Sequence, residues 1–377
     1  MLGFVTFKRN FRMLKTAHEW ISKLAAESSA ITQMQLEGKI QNDVLNRDAF
    51  NLANCNVHCR LITRTIDELT NKRFSSYEDA RDLLHNLISK NTYGAFAELA
   101  AYDWLTRCGV IISTQVKMTL NDVLSKNGST LDGIIKDYNA YFDVKAFGFN
   151  GGLSQRLKER LEAEIADEQV LIEESWDIST EKFEELIRSA SEVAIQLKNK
   201  RMLRFGRLCI RLEAKKTVSI SSRCIDPYHL ANENARYPFK FAKQFTRNNP
   251  FILIFVIHPW FNASSIHNDF AGADTIFTRS IARRAFMQCT LDSPLIDSIC
   301  CNVPPDLTLA DASRLLSAIF FVNVWPSDAD PSITQPMPSW LYLNPRATHP
   351  ITRWQLHCYQ SNNPNGTYID DFVDDNY

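Results

Sequence analysis

Glu98, Asp132, Asp143 and Lys145 follow one another through a single stretch of the first half of the chain, three carboxylates and then an ammonium. A Mg²⁺-like cation takes oxygen ligands, usually one or two carboxylates together with water and a substrate phosphate. Asp132 and Asp143 can supply the carboxylates, while Glu98 completes the shell, holds a cation-bound water or helps place a second cation. Such an ion lowers the pKa of bound water, polarises a phosphoryl oxygen and offsets the charge that builds there. Lys145, two residues beyond Asp143, offers a positioned cation to the attacking water or to the phosphate in the transition state. These residue types in this order point to metal-assisted hydrolysis of a phosphodiester.

The elements that must position them are readable from periodicity. TYGAFAELAAYDWLTRCG, from Thr92, places Tyr93, Phe96, Ala97, Ala100, Ala101, Trp104 and Leu105 at helical spacing. Glu98 is the sole charge between Lys90 and Asp103, and a carboxylate in so apolar a helix needs a positive neighbour if buried. A strand is predicted over Gly109–Met118, then a polar loop over Asn121–Ser129, a second strand at TLDGIIK, a short turn around Asp137 and Asn139, and a third strand at AYFDVKAF. Alternation puts Asp143, Lys145 and Phe147 on one face of that strand and Phe142, Val144 and Ala146 on the other.

A Glu on the first helix, an Asp on the second strand and Asp-x-Lys on the third resembles the PD-(D/E)xK nuclease superfamily, the restriction-endonuclease-like fold. The residue before the first Asp is Leu131 instead of Pro. The resemblance is close over residues 92–147 and loose elsewhere. It implies an α/β fold with a mixed-sheet core ordered αβββαβ and flanked by helices. It also implies a Mg²⁺-dependent endonuclease (Mn²⁺ substituting) that leaves a 5′-phosphate and a 3′-hydroxyl. Asp132, Asp143 and the Val144 carbonyl would hold one or two ions, Glu98 would contribute directly or through water, and Lys145 would serve the attacking water. DNA is the expected substrate and RNA the alternative, in restriction, antiphage defence or repair. Many relatives act as homodimers, and fold analogy alone does not fix function.

Two other readings compete. RLCIRLEAKKTVSI carries Glu213-x-Lys215 on a strand-like run, but residues 153–200 before it read as helices and give it no acid on a preceding strand. Asp143 and Lys145 can also be an edge-strand ion pair, with Glu98 a solvated helix residue. A different functional class, a non-catalytic nucleic-acid-binding or scaffolding protein on the same fold, would use the basic patches and leave the acids idle.

The remaining chain is organised around this core as an N-terminal helical region (1–90), the first half of the core (91–148), a helical and β insertion (149–230), the second half of the core (231–360) and an acidic, mobile tail (361–377). Cys55, His58 and Cys59 lack a second ligand pair at zinc-site spacing and read as helix packing. The insertion is polarised: residues 159–185 hold eleven acids against Arg160 and Lys182, and residues 198–216 hold eight basic residues against Glu213. The basic segment offers the local patch that phosphate binding would need; the alternative is that the two segments face solvent, or each other as salt-bridged partners. Asn232–Arg247 reads as the helix that follows the insertion, with Lys240, Lys243 and Arg247 on one basic face, and Pro250–His258 as a buried fourth strand. Lys240, Lys243, Gln244 and Arg247 are candidates for the substrate backbone. So are Arg279 and Arg283, one turn apart on a second basic helix that also carries Arg284. SRLLSAIFFVNVW and SWLYLNPRATHP add further strands.

Composition limits the alternatives. With 377 residues, 45% of them hydrophobic, the chain can bury a sizeable core, and 42 basic against 43 acidic residues give no global attraction to nucleic acid, so any phosphate binding must be local. The longest apolar run, PFILIFVI, is far too short to cross a membrane, the start has no signal-peptide layout, and nine unpatterned cysteines indicate a reducing compartment. A cytoplasmic protein without a membrane partner is the expectation. There is no P-loop, dinucleotide fingerprint or internal repeat.

Overall fold

The structure is a computed structural model that describes residues 13–36, 40, 43–89, 91–147, 151–165, 168–173, 180–206, 208–214, 227–257, 273–326, 329–356 and 367–375. It divides into two compact units, Met1–Asp103 with Pro326–Thr334 and Trp104–Trp325 with Gln335–Tyr377.

The first unit is helical: α1 (Ala17–Glu27), α2 (Ser29–Gln33), α3 (Arg47–Ala53), α4 (Asn56–Asn71), α5 (Tyr77–Ser89) and the larger part of α6 (Thr92–Arg107). Thr16 and Glu19 cap the start of α1 reciprocally, as a Thr-x-x-Glu pattern should. Cys55 precedes α4 as its N-cap, Cys59 gives its thiol to the carbonyls of Leu52 and Ala53, and burial pushes both thiols up, so they stay protonated. His58 is fully buried, 5.2 Å edge-on to Phe96. This trio packs, as its helical spacing predicts.

The second unit is built on a seven-stranded mixed sheet in the order β1-β2-β3-β7-β8-β9-β10. Its strands are β1 (Ile112–Met118), β2 (Ser129–Ile135), β3 (Ala140–Phe147), β7 (Phe251–Ile257), β8 (Ala318–Asn323), β9 (Ser339–Leu343) and β10 (Tyr368–Asp370). The first three form an antiparallel meander, with a 3-10 turn at Lys136–Tyr138 closed by Asn139 in the left-handed region between β2 and β3. β7 then lies parallel to both β3 and β8, from Tyr141↔Phe251 to Phe147↔Ile257 on one side. All seven residues of β7 are buried, the pattern of an interior parallel strand, and each large apolar side chain there contributes roughly 1.5–3 kcal/mol. One face of the sheet packs Phe147, Phe255 and Phe321 in mutual contact at 5.0–5.4 Å.

The insertion forms its own small body: α7 (Gly151–Glu164), α8 (Thr180–Arg188) and α9 (Ala190–Lys200) around a second sheet, β4 (Gln169–Glu173), β5 (Met202–Phe205) and β6 (Leu208–Glu213), ordered β4-β6-β5. Leu157, Leu161, Phe183, Leu197 and Ile210 are in its separate core. The strand β4 corrects the helical reading of residues 153–200. Its last residue, Glu173, faces Cys209, while Glu213 lies opposite Gln169 and pairs with Arg211, and Lys215 lies outside the described residues. Part of the charge polarity is internal pairing, since Arg201 clasps Glu168 with two bonds of 2.6 and 2.5 Å.

Two further expectations need correction. The helix predicted over Asn232–Arg247 is broken into α10 (Pro227–Glu233) and a 3-10 helix, Tyr237–Gln244, because Pro238 can donate no backbone hydrogen bond. The C-terminal tail is anchored where described: β10 pairs parallel with β9, and Phe372 is buried against Tyr342 and Phe286. The remaining helices are α11 (Ala273–Arg283), continued by a π-helical turn to Gln288, and α12 (Leu309–Leu315). Among the described residues, no helix is long and apolar enough to cross a membrane.

Candidate active site

Continue the β2–β3 register one step beyond Gly133↔Phe142 and Asp132 stands opposite Asp143. The backbone ladder ends before that step. In its place, Asp132 Oδ2 accepts the Val144 backbone N–H at 2.6 Å, so a side chain replaces the next strand-to-strand bond. Residues directly opposite on antiparallel strands point to the same face, so the two carboxyl groups lie side by side, and Asp132 opposes the upward pull of burial on Asp143.

Asp143 is held from three sides. Gln244 donates its Nε2–H to Oδ1 at 2.9 Å, from the last residue of the 3-10 helix. The Lys145 ammonium pairs with Oδ2, and the same ammonium lies 5.6 Å over the Phe241 ring. Burial raises the Asp143 pKa above the usual carboxylate range, opposed by Lys145, by the bond to Asp132 and by the charge of Lys243. Asp143 is 1% exposed and Lys145 23%, so the anion is sealed and the cation reaches toward solvent. Asp143 and Lys145 are thus an ion pair, but on an interior strand flanked by β2 and β7, not on an edge.

The backbone around the pair is irregular on the other side too. β1 keeps its register with β2 on both sides of one gap, and Gln115, opposite Asp132 in that gap, has φ +53°. A non-glycine residue in the left-handed region stores strain, which structures tolerate mainly at functional sites. Next to it, Gly133 allows a close approach that no side chain permits: a Cβ there would lie 2.3 Å from the Phe142 ring and 2.8 Å from the Ser113 carbonyl oxygen.

Arg247, Arg279 and Arg283 are drawn away from this cluster by other partners. Glu98 is half-buried on α6 and belongs to the first unit. Lys243 is exposed beside the pair, and its backbone carbonyl accepts the Ser125 N–H at 2.8 Å. Lys240 sits over the Tyr237 ring and pairs with Glu184 of the insertion at 3.5 Å. Arg247 leaves the basic face expected of it: its guanidinium donates to the Val123 carbonyl and its N–H to that of Asp122, tying the β1–β2 loop to the segment before β7. Arg279 and Arg283 are occupied by the tail. Arg279 bonds Asp370 at 2.5 Å and Asp375 at 3.2 Å, and Arg283 bonds Asp375 at 2.7 Å. Burial opposes the charge of Asp375, but the two arginines outweigh it and hold its carboxyl below the usual range. Arg284 reaches back to the Ser280 carbonyl.

Asp132, Asp143, Lys145, Lys243 and Gln244 are therefore brought together. Gln115 and Phe241 are contributions the sequence reading missed, because neither a positive φ nor a ring under an ammonium has a one-dimensional signature. Among the described residues, no three His, Cys, Asp or Glu side chains gather closely enough to share one ion. The two aspartates fit a hard divalent cation all the same, since one or two carboxylates plus water and phosphate are its common protein ligands, and a cation competes with a proton for the buried Asp143 carboxylate. No protein-family model, curated protein or solved structure matches the chain.

Proposed function

We propose that the chain is a divalent-metal-dependent nuclease, with DNA as its first substrate and RNA as the alternative, built on the restriction-endonuclease-like arrangement that its αβββαβ order resembles. The observation that carries this reading is the facing pair Asp132 and Asp143 at the open end of the β2–β3 ladder, with Lys145 and Gln244 on the same carboxylate.

Asp132, Asp143 and the Val144 carbonyl would hold Mg²⁺ or Mn²⁺, which supplies Lewis-acid polarisation of the phosphate and a more acidic water. Gln244 fixes Asp143 Oδ1, leaving Oδ2 toward Lys145. The buried Gln244 Oε1 accepts no hydrogen bond among the described residues and can take one from water. Lys145, charged beside Asp143, keeps a cation where negative charge grows during attack at phosphorus. Lys243 adds an exposed positive charge to draw the backbone in.

The test is cleavage of supercoiled plasmid and of RNA by wild type, Asp143→Ala and Lys145→Ala, each with Mg²⁺, Mn²⁺ or EDTA. Metal-dependent cutting that falls by roughly 10²-fold or more in both variants is expected. Wild-type cutting by Asp143→Ala sinks the proposal. Tight binding with no cutting in any metal points instead to a binding or scaffolding protein.

A further inference from the structure

Beside the 3-10 helix Tyr237–Gln244 lies a cleft of about 510 Å³, walled by Asn232, Asn234, Arg236, Gln288, Asp292 and Ser298. Its size falls within the roughly 300–1,000 Å³ of small-molecule sites, but such sites are mostly apolar and this one is not. Three carboxamides, a hydroxyl, one cation and one anion form a wall with no net charge. Arg236 and Asp292 approach only to 3.9 Å, beyond hydrogen-bond reach, which leaves their donors and acceptors for another molecule. Burial holds the neighbouring Cys289 thiol up to about 12, so it stays neutral and offers neither a nucleophile nor a metal ligand. The wall suits binding, and carboxamides paired donor-to-acceptor are the groups that read base edges.

Position narrows the ligand. Tyr237 lines the cleft and packs edge-on at 5.6 Å against Phe147, which shares its strand face with Asp143 and Lys145. The 3-10 helix Tyr237–Gln244 runs from the cleft to Gln244, the donor to Asp143, with the exposed cations Arg236 at its cleft end and Lys243 beside the carboxyl pair.

We propose that this cleft seats one nucleoside of the strand whose phosphate lies at Asp132 and Asp143; the assignment rests on the nuclease reading above. The exposed Gln288 and Asn232 meet the base edge, Arg236 the adjoining phosphate, and Asp292 a sugar hydroxyl or a base amino group.

The test is binding of labelled single-stranded oligonucleotides to the full chain in EDTA, with one abasic nucleotide stepped along the strand. Wild type and two variants at exposed positions, Gln288→Leu and Arg236→Gln, are compared after thermal melting confirms that they fold. One abasic position should weaken wild-type binding by about five-fold or more and leave Gln288→Leu indifferent to it. Arg236→Gln should weaken every oligonucleotide and lower the salt dependence by about one unit of slope. A flat abasic scan, or a sensitivity that persists in Gln288→Leu, overturns the proposal. So does saturable binding of free 5′-monophosphates that displaces no oligonucleotide, which would make the ligand a free nucleotide. The abasic effect without cleavage in Mg²⁺ or Mn²⁺ would uphold the cleft and remove the nuclease reading.

Discussion

Replacing Gly133 by alanine tests the architecture that brings the two aspartates face to face. The added Cβ would meet Phe142 Cζ at 2.3 Å and the Ser113 carbonyl oxygen at 2.8 Å, where ordinary contacts begin near 3.4 Å. The ring must retreat by 3.4 − 2.3 = 1.1 Å and β1 by 3.4 − 2.8 = 0.6 Å. Phe142 is fully buried and the Ser113 oxygen belongs to the backbone of a paired strand, so neither yields freely. Overpacking of this kind costs about 1–3 kcal/mol, which for a domain of this order of size lowers Tm by roughly 2–12 °C. Asp132 is the next residue along β2, and displacing a reacting group by about 1 Å can cost on the order of 10²-fold in rate. Gly133→Ala should therefore melt earlier and cleave far more slowly than its stability alone explains. Adding Phe142→Leu should return part of the lost stability, about 1 kcal/mol of coupling, by relieving the ring contact and not the one to Ser113. If Gly133→Ala melts within about 1 °C of wild type and cleaves normally, the close approach plays no part in building the site.

Other expectations are more direct. In EDTA, wild type should lose stability relative to Asp143→Asn as pH rises from the unfolded carboxylate value through the raised folded one, and the difference should level off above it; urea titrations at several pH values read the sign, and the reverse slope refutes the burial argument. Because a cation competes with a proton for the Asp143 carboxylate, the Tm gain from Mg²⁺ should grow over the same pH range, and a pH-independent gain would place the ion elsewhere. Gln244→Leu, which keeps the volume and removes the donor to Asp143, should depress metal-dependent kcat more than Tm. Phe372→Ala should destabilise by about 3–5 kcal/mol in thermal melts despite lying six residues from the end of the chain, and no change would mean that the tail is not docked.

What was legible in the sequence was what local periodicity and residue type encode. β1, β2, β3 and β7 announce themselves by alternation or by an unbroken apolar run, and the charges at Asp132, Asp143 and Lys145 are conspicuous because they interrupt strands. Gln244 could be ranked only by position in an expected fold. What was hidden depends on pairing across distance. The tail reads as acidic and solvated until Arg279 and Arg283 supply its counter-charges and Tyr342 covers Phe372. β4 hides between helices because five residues seldom declare themselves against amphipathic flanks. Arg247 looks like a surface cation, yet two carbonyls of the β1–β2 loop claim it.

The parallel pairing of β3 with β7 has a consequence in time. Asp143 and its Gln244 donor are 101 residues apart, with the whole insertion between them. At about 5–20 residues per second of synthesis, the meander carrying both aspartates leaves the ribosome roughly 5–20 s before the helix that completes it. During that interval the insertion can gather its own core, while the charged strand has no β7 beside it. The carboxyl pair takes its final form only when β7 docks, so a truncated or stalled chain carries the aspartates without the assembled centre.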